Sequence, residues 1–293
     1  MTTMFNLRNI FQLVSNGLDQ HPFAQEQLIV KPDQAWLHGT LDGGQQLDSL
    51  FQQPSHQVFG ELAFIPDQFP KEALRQLGMV IHAAAVLAAA GAADDEISGR
   101  VDELWQHLDF GSAWYGAKQR TQAGRMIRKF LDWQAANPRE LLAVEQELRI
   151  RVGRVQITGR VDRLERDTGG HGVVVDLKTG STPVPEQDLE RNPQLGVYQL
   201  AVLFGAFERF GLTEPGGAEL IQLGKAGLSG QARVQGQHSL GSDQDPGWAQ
   251  QLVETVAAGM SGPVFQARVN PGCRNCPVIS CCPVHPQGEG VTH

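Results

Sequence analysis

Two strand-like segments joined by a glycine-rich turn constrain the fold of this chain more than any other feature. Residues 154–164 and 172–178 are rich in β-branched and other apolar side chains. Residues 167–172 read Asp-Thr-Gly-Gly-His-Gly, a composition typical of a hairpin turn. We therefore predict an antiparallel hairpin whose second strand is buried.

Two acids and a lysine fall at the end of this hairpin. Alternate side chains of a strand share a face, so Asp176 and Lys178 point the same way. Pairing across the turn brings Asp162 near Asp176, and such a group suits a divalent metal, a water and a scissile phosphate. The alternative is an exposed ion pair worth about 1 kcal/mol or less. The apolar neighbours of Asp176 favour the metal site, because a buried carboxylate is costly unless it is paired or metal-bound.

The remaining periodicity predicts an α/β fold, a central mixed β-sheet flanked by helices. Helices are expected at 71–90, 94–108, 113–136, 193–210 and 248–260, and strands at 142–151, 154–164, 172–178, 217–223 and 233–239. We divide the chain into a poorly patterned, irregular or partly ordered N-terminal lead-in (1–70), a core (71–262) and a cysteine-rich C-terminal tail (263–293).

Charge and hydropathy limit the partners. A net charge of −8 over 293 residues argues against non-specific binding of polyanions by the chain as a whole, but not against a local basic groove. One basic patch falls on the helix at 113–136 and is equally well explained as a solvated face. Because no apolar run approaches the ~20 residues of a membrane span and no signal peptide is evident, we expect a cytoplasmic protein without a membrane partner.

All four cysteines, Cys273, Cys276, Cys281 and Cys282, lie within ten positions of one another near the end of the chain. A disulfide framework would scatter its cysteines to connect distant elements. The clustering therefore indicates a metal or iron–sulfur site.

Three motifs follow one another along the chain: Gly-Arg-Val-Asp-Arg at 159–163, Asp-Leu-Lys-Thr-Gly at 176–180 and Pro-Gln-Leu-Gly-Val-Tyr at 193–198. In this order they resemble the RecB-type branch of the PD-(D/E)XK nuclease superfamily. The tail, Asn-Pro-Gly-Cys-Arg-Asn-Cys-Pro at 270–277 with Cys-Pro at 282–283, is similar to the C-terminal end of AddB-like and AdnB-type helicase–nucleases. The resemblance implies a restriction-endonuclease-like core.

The resemblance also implies roles for single residues. Asp162 and Asp176 match the metal-binding catalytic acids, Lys178 matches the catalytic lysine, and His82 matches a helical histidine that serves as a further metal ligand. Gln194 and Tyr198 match a motif associated with DNA engagement, and their spacing of four places both on one helix face. Glu145 stands where relatives carry another acid, with Glu147 as a rival.

Relatives with this tail hold a [4Fe-4S] cluster that uses one further, upstream cysteine. In this chain no cysteine precedes Cys273. Cys273, Cys276 and Cys282 match the downstream ligands, while Cys281 or His285 could complete a site. A mixed cysteine and histidine set would also suit Zn²⁺.

The function implied is that of a Mg²⁺- or Mn²⁺-dependent deoxyribonuclease of exonuclease type, acting at DNA ends in recombination or repair. Its partners would be DNA and a helicase or ATPase subunit, because the chain has no Gly-x4-Gly-Lys-Ser/Thr nucleotide-binding loop and resembles a nuclease module of a larger helicase–nuclease. The alternative is a non-catalytic DNA-binding or assembly module derived from a helicase–nuclease.

Overall fold

The structure of the protein is a computed structural model. It describes residues 3–6, 69–224, 230–261, 269, 273, 274, 276 and 278–286. In chain order, its α-helices and β-strands are β1 (Thr3–Asn6), α1 (Phe69–Ala89), α2 (Asp94–Trp105), α3 (Ala113–Ala136), β2 (Glu140–Val152), β3 (Val155–Arg166), β4 (Gly172–Lys178), α4 (Pro193–Leu203), β5 (Pro215–Gln222), β6 (Arg233–Gln237) and α5 (Trp248–Met260).

The described strands form one mixed sheet in the order β1-β3-β4-β5-β6, with β2 also paired to β3. The β2–β3 and β3–β4 pairs are antiparallel, and β4 runs parallel to β5. The predicted hairpin is therefore the β3–β4 pair, joined at residues 167–171. The α/β architecture with a central mixed sheet is confirmed.

The sheet opens beside β3. Since β2 follows β3 along its whole length, β1 and β4 share the opposite edge of that strand. There β1 pairs with Val155–Thr158, and β4 pairs only with Arg163–Arg166. Residues 159–162 of β3 thus lie between the two partners, and the β3–β4 ladder ends at the Arg163–Val175 pair, one residue before both acids.

Strand β4 is the middle strand of the order β1-β3-β4-β5-β6, and its alternate side chains enter two different cores. Val173, Val175 and Leu177 pack with apolar residues of α1, α2 and α3 on one face of the sheet. Val174 packs on the other face with α4 and α5. A strand buried on both faces reads as a continuous apolar run, and Asp176 interrupts that run.

The largest differences from the sequence-based expectation concern α4 and the N-terminal lead-in. Helix α4 ends at Leu203 rather than at residue 210, because Gly205 adopts a left-handed φ of 82° that stops the helix. Thr3–Asn6 form a strand within the lead-in that we expected to be irregular or partly ordered, and residues 7–68 of that lead-in lie outside the described residues.

Of the helices in the described part of the chain, none has the length and apolar character needed to cross a bilayer.

Candidate active site

Asp162 lies at the opening of the sheet and is held by the backbone. Its Oδ2 atom accepts a hydrogen bond from the Leu177 N–H at 2.7 Å. Because β4 has already left the β3 ladder at this point, the Leu177 amide binds a side chain instead of a neighbouring strand. The Oδ1 atom of Asp162 remains directed towards helix α1.

His82 reaches Asp162 from α1, the helix packed on the sheet face next to this opening. Its Nδ1 atom lies 2.9 Å from Glu145 Oε1 and 3.5 Å from Asp162 Oδ1. The His82 side chain is 31% exposed and that of Asp162 is 15% exposed, so solvent reaches the site from one side. A helix and two strands therefore bring an imidazole and two carboxylates together.

Glu145, rather than its rival Glu147, joins this cluster. The register on either side, Val144 with Arg163 and Gln146 with Val161, puts Glu145 opposite Asp162. Its backbone has a φ of 48°, a left-handed conformation that non-glycine residues seldom adopt. The Glu147 side chain is 78% exposed, and its contact in this region is Arg160 at 3.8 Å.

The charges in this cluster act strongly on one another. Burial lowers the pKa of His82, but the hydrogen bond with Glu145 and the charges of Asp162, Glu145 and Asp176 outweigh that effect and raise the pKa to about 9. Burial and the nearby Asp176 carboxylate raise the pKa of Asp162 to about 7, against the opposing influence of His82 and the Leu177 amide. The cluster therefore has an excess of acids that a further cation would relieve.

Asp176 and Lys178 face the same way along β4, as strand alternation predicts. Lys178 Nζ lies 2.8 Å from Asp176 Oδ2. The Asp176 side chain is only 8% exposed, whereas that of Lys178 is 34% exposed. The ammonium group therefore stands between the buried acid and solvent.

Gln194 and Tyr198 approach the same acid from α4. The Asp176 Oδ1 atom accepts hydrogen bonds from Tyr198 Oη at 2.7 Å and from Gln194 Nε2 at 2.5 Å. The other amide atom of Gln194, Oε1, accepts from Lys178 Nζ at 2.8 Å. Tyr198 is 3% exposed, so it holds the acid from the interior of the protein, while Gln194 contacts both the acid and the lysine. A role of Gln194 and Tyr198 in DNA binding stays a prediction.

The donor set fits a hard divalent cation. Ligand atoms of His82, Glu145 and Asp162 all lie within 4.8 Å of one another, the one such group of three among the described residues. Two carboxylates and an imidazole are donors that Mg²⁺ and Mn²⁺ accept, and water completes the coordination of either ion. Asp176, whose charge raises the pKa of Asp162, is a further carboxylate beside this group.

Sequence reasoning placed the metal among His82, Asp162 and Asp176, whereas the three clustered donors are His82, Asp162 and Glu145. Glu145 could be named from the sequence only as one of two candidates. Because residues two apart share a face of a strand, alternation along β2 alone could not choose between Glu145 and Glu147.

The C-terminal tail forms a separate group. Cys273, Cys276 and Cys282 line one small cavity together with His285. Cys281 is exposed, and its Sγ donates to the carbonyl oxygen of Val278 at 3.3 Å. Of the two residues that could complete the cysteine set, His285 therefore shares the cavity with the other three.

Comparison with known proteins identifies the family of the chain. The sequence profile of the PD-(D/E)XK nuclease superfamily matches residues 58–283 of the chain. A solved structure titled "Crystal structure of SSO0001" is similar at 15% sequence identity over 74% of this chain and 95% of that chain, with a TM-score of 0.32, a level of likeness that does not bear on function. No protein with a curated description matches significantly. On the strength of the match over residues 58–283, the chain belongs to the PD-(D/E)XK nuclease superfamily.

Proposed function

We propose that this protein is a Mg²⁺- or Mn²⁺-dependent deoxyribonuclease that hydrolyses phosphodiester bonds at DNA ends in recombination or repair. The observation that carries the proposal is that two groups of charged side chains lie side by side where the sheet opens beside β3. One group is the His82–Glu145–Asp162 cluster, and the other is the Asp176–Lys178 pair. A purely structural ion pair would not need the additional acids and the imidazole beside it.

Asp162, Glu145 and His82 would hold the ion, with Asp176 beside them. When bound, the ion supplies Lewis-acid polarisation of a phosphoryl oxygen and lowers the pKa of a water molecule. The Leu177 amide keeps Asp162 Oδ2 engaged, so the Oδ1 atom is the one available to a ligand.

Lys178 supplies a positive charge at the solvent side of the acids. Its half-buried ammonium group is in reach of solvent and can donate to a phosphate oxygen or orient a water molecule. Gln194 and Tyr198 hold Asp176 with two donors, which limits the rotation of the carboxylate and keeps it paired with the lysine.

Within the superfamily, we assign the chain to the RecB-like branch, with an organisation similar to the C-terminal nuclease part of AddB-like and AdnB-type helicase–nucleases. The support is the ordered set of motifs from 159 to 198 followed by the cysteine tail. In this proposal residues 71–262 are the nuclease core, the protein acts in the cytoplasm, and a helicase or ATPase subunit delivers the DNA end.

The tail contributes a metal centre of its own. Cys273, Cys276, Cys282 and His285 line one cavity and would hold either a [4Fe-4S] cluster or Zn²⁺. A brown colour and bound iron in the purified protein would identify the cluster, and a colourless protein with bound zinc would identify Zn²⁺. A colourless protein without either metal would contradict a metal centre in the tail.

The nuclease activity is tested on end-labelled single- and double-stranded DNA with and without Mn²⁺. The wild-type protein should shorten linear strands only when the metal is present, and Asp176→Ala should abolish cleavage while the protein keeps its circular dichroism spectrum. A covalently closed circle of the same sequence is the control for end dependence. Binding of DNA without any cleavage by the wild-type protein would favour the rival, a non-catalytic DNA-binding or assembly module.

A further inference from the structure

Helix α3 has a stripe of one aromatic and three basic side chains along one side. Trp114, Lys118, Arg125 and Lys129 lie at spacings of four, seven and four residues, which brings them to the same side of a helix. Burial and the positive charge of Arg125 lower the pKa of Lys129, as expected for neighbours on one helix side. We call these four residues the α3 stripe.

The charges of Lys118 and Arg125 are not neutralised by acids within the described part of the protein. Two other arginines of α3 are paired with acids of α2: Arg120 with Asp102 and Arg128 with Asp94. Lys118 and Arg125 form no ion pair with any described acid, although the chain as a whole has a net charge of −8. The helix thus concentrates positive charge against the overall balance of the molecule, which is a mark of a polyanion-binding surface.

Trp114 is the most exposed large aromatic side chain among the described residues, at 72%. Lys118 Nζ lies 5.4 Å from the centre of its ring. An indole in this position offers a flat face to a base, and the ammonium group beside it offers a contact to the adjoining phosphate.

The stripe leads to the candidate active site. At one end, Lys129 Nζ donates to the Leu223 carbonyl oxygen at 3.1 Å, and the Leu223 N–H donates to the Lys178 carbonyl oxygen at 2.8 Å. Asn137 and Arg139, which follow α3, contact Glu165 and Glu219 instead. These two acids pair with Val173 and Val175, which precede Asp176 along β4. The N-terminal half of α3 therefore extends beyond the part of the sheet that carries the candidate active site. Trp114 lies about 22 Å along the helix from Lys129.

We propose that the α3 stripe binds a single-stranded segment of the DNA substrate, with one base stacked on Trp114 and phosphates bound by Lys118 and Arg125. This proposal rests on the proposed nuclease function, because it names the strand that the site would act on. Stacking requires an unpaired base with an accessible face, so a single strand fits Trp114 and a blunt duplex does not.

The test is the affinity of the full chain for a labelled single-stranded oligonucleotide, measured by fluorescence anisotropy in the presence of a chelator so that no cleavage occurs. Trp114→Ala should weaken binding about 5- to 150-fold, and Trp114→Phe should retain most of the affinity because the aromatic face remains. In a salt titration, Lys118→Gln combined with Arg125→Gln should reduce the slope of log K against log salt by about 1.4. Arg128→Gln is the matched control, since it removes a paired cation of the same helix, and it should leave affinity and slope unchanged.

The proposal would be overturned if the Trp114→Ala protein and the double variant both bound the single strand as tightly as the wild type does. It would also be overturned if Trp114→Ala lost as much affinity for a blunt duplex as for the single strand. The result is independent of the nuclease assay. If the wild type cleaves no DNA but Trp114→Ala weakens single-strand binding, DNA binding by the α3 stripe is supported and the nuclease function is contradicted. If the wild type cleaves DNA but Trp114→Ala binds single strands as the wild type does, the nuclease function is supported and DNA binding by the stripe is contradicted.

Discussion

His82 Nδ1 lies 2.9 Å from Glu145 Oε1 although 63 residues separate the two along the chain. The contact joins the helical layer to the edge of the sheet and completes the cluster of three donors at the sheet opening. The sequence alone offered Glu145 with Glu147 as a rival for this position. The contact with His82 makes Glu145 the residue whose replacement should be tested.

Glu145→Gln should weaken binding of Mn²⁺ at least about 10-fold, because the charged oxygen that faces His82 is lost while the shape of the side chain is kept. Calorimetric titration with Mn²⁺ measures the effect. Glu147→Gln, a change at a side chain that is 78% exposed, is the matched control and should bind like the wild type. Equal affinities in the two variants would contradict the assignment of Glu145 to the cluster.

The stabilising effect of Mg²⁺ should increase with pH. Without metal, the folded protein holds protons on Asp162 up to a pKa of about 7 and on His82 up to about 9, whereas their ordinary values are 3.8 and 6.5. Between the ordinary and the raised pKa of each group, the folded state binds more protons than the unfolded chain does. The stability of the metal-free protein therefore falls as pH rises through these two ranges, from about 3.8 to 7 for Asp162 and from about 6.5 to 9 for His82. Because a metal ion requires the deprotonated ligands, the increase in Tm on adding Mg²⁺ should be small below the pKa of Asp162 and largest near that of His82.

Melting curves with Mg²⁺ and with a chelator across this pH range measure that dependence. In Asp162→Asn, the increase in Tm should shrink at every pH, since a ligand is missing. An increase in the wild type that is the same at both ends of the window would exclude proton-linked binding at this cluster.

Arg139→Met should destabilise the fold by about 1–3 kcal/mol, because Glu219 loses its cation, whereas Glu165 keeps Arg163 and Asn137 as partners. The Arg139 guanidinium contacts Glu165 and Glu219 at 2.6 Å each, and the Glu165 side chain is fully buried. Urea unfolding followed by circular dichroism gives the free energy of unfolding. Arg128→Gln, which breaks an exposed ion pair with Asp94, should cost less than about 1 kcal/mol and serves as the comparison.

Gly196→Ala should lower stability by about 1–3 kcal/mol through overpacking between α4 and α5. A Cβ atom at this position would lie 2.5 Å from Cη2 of Trp248. Gly99→Ala, in the interior of α2 with nothing within 4 Å of the added atom, should instead raise stability by up to about 1 kcal/mol. Thermal unfolding of the two variants tests both signs, and a neutral Gly196→Ala would mean that α4 and α5 can shift apart without cost.

Some of this site could be predicted from local pattern alone. The period of two in a strand and the turn composition at 167–172 were enough to predict that Asp176, Lys178 and Asp162 come together, and Lys178 Nζ does lie 2.8 Å from Asp176. The periodicity also predicted the flanking helices, since each buries a repeated apolar face. These features depend on residues that are close in sequence.

The rest depends on contacts that no local pattern encodes. The pairing of Thr3–Asn6 with β3 joins segments about 150 residues apart, and four residues are too few to show a period. Glu145 and Glu147 share a face of a regular strand, so alternation along β2 could not tell which of them meets His82, a residue 63 positions earlier in the chain. The end of α4 required recognising that Gly205 would adopt a positive φ.

The hydrogen bond from the Leu177 N–H to Asp162 limits what side-chain mutagenesis can show about this site. Because the anchor of Asp162 Oδ2 is a main-chain N–H, every side-chain replacement at position 177 other than proline keeps it in place. Alanine scanning would therefore score Leu177 as a packing residue and miss its polar role. Replacing that single peptide bond by an ester, which removes the N–H and leaves all side chains intact, would test whether the main chain of β4 contributes to the candidate active site.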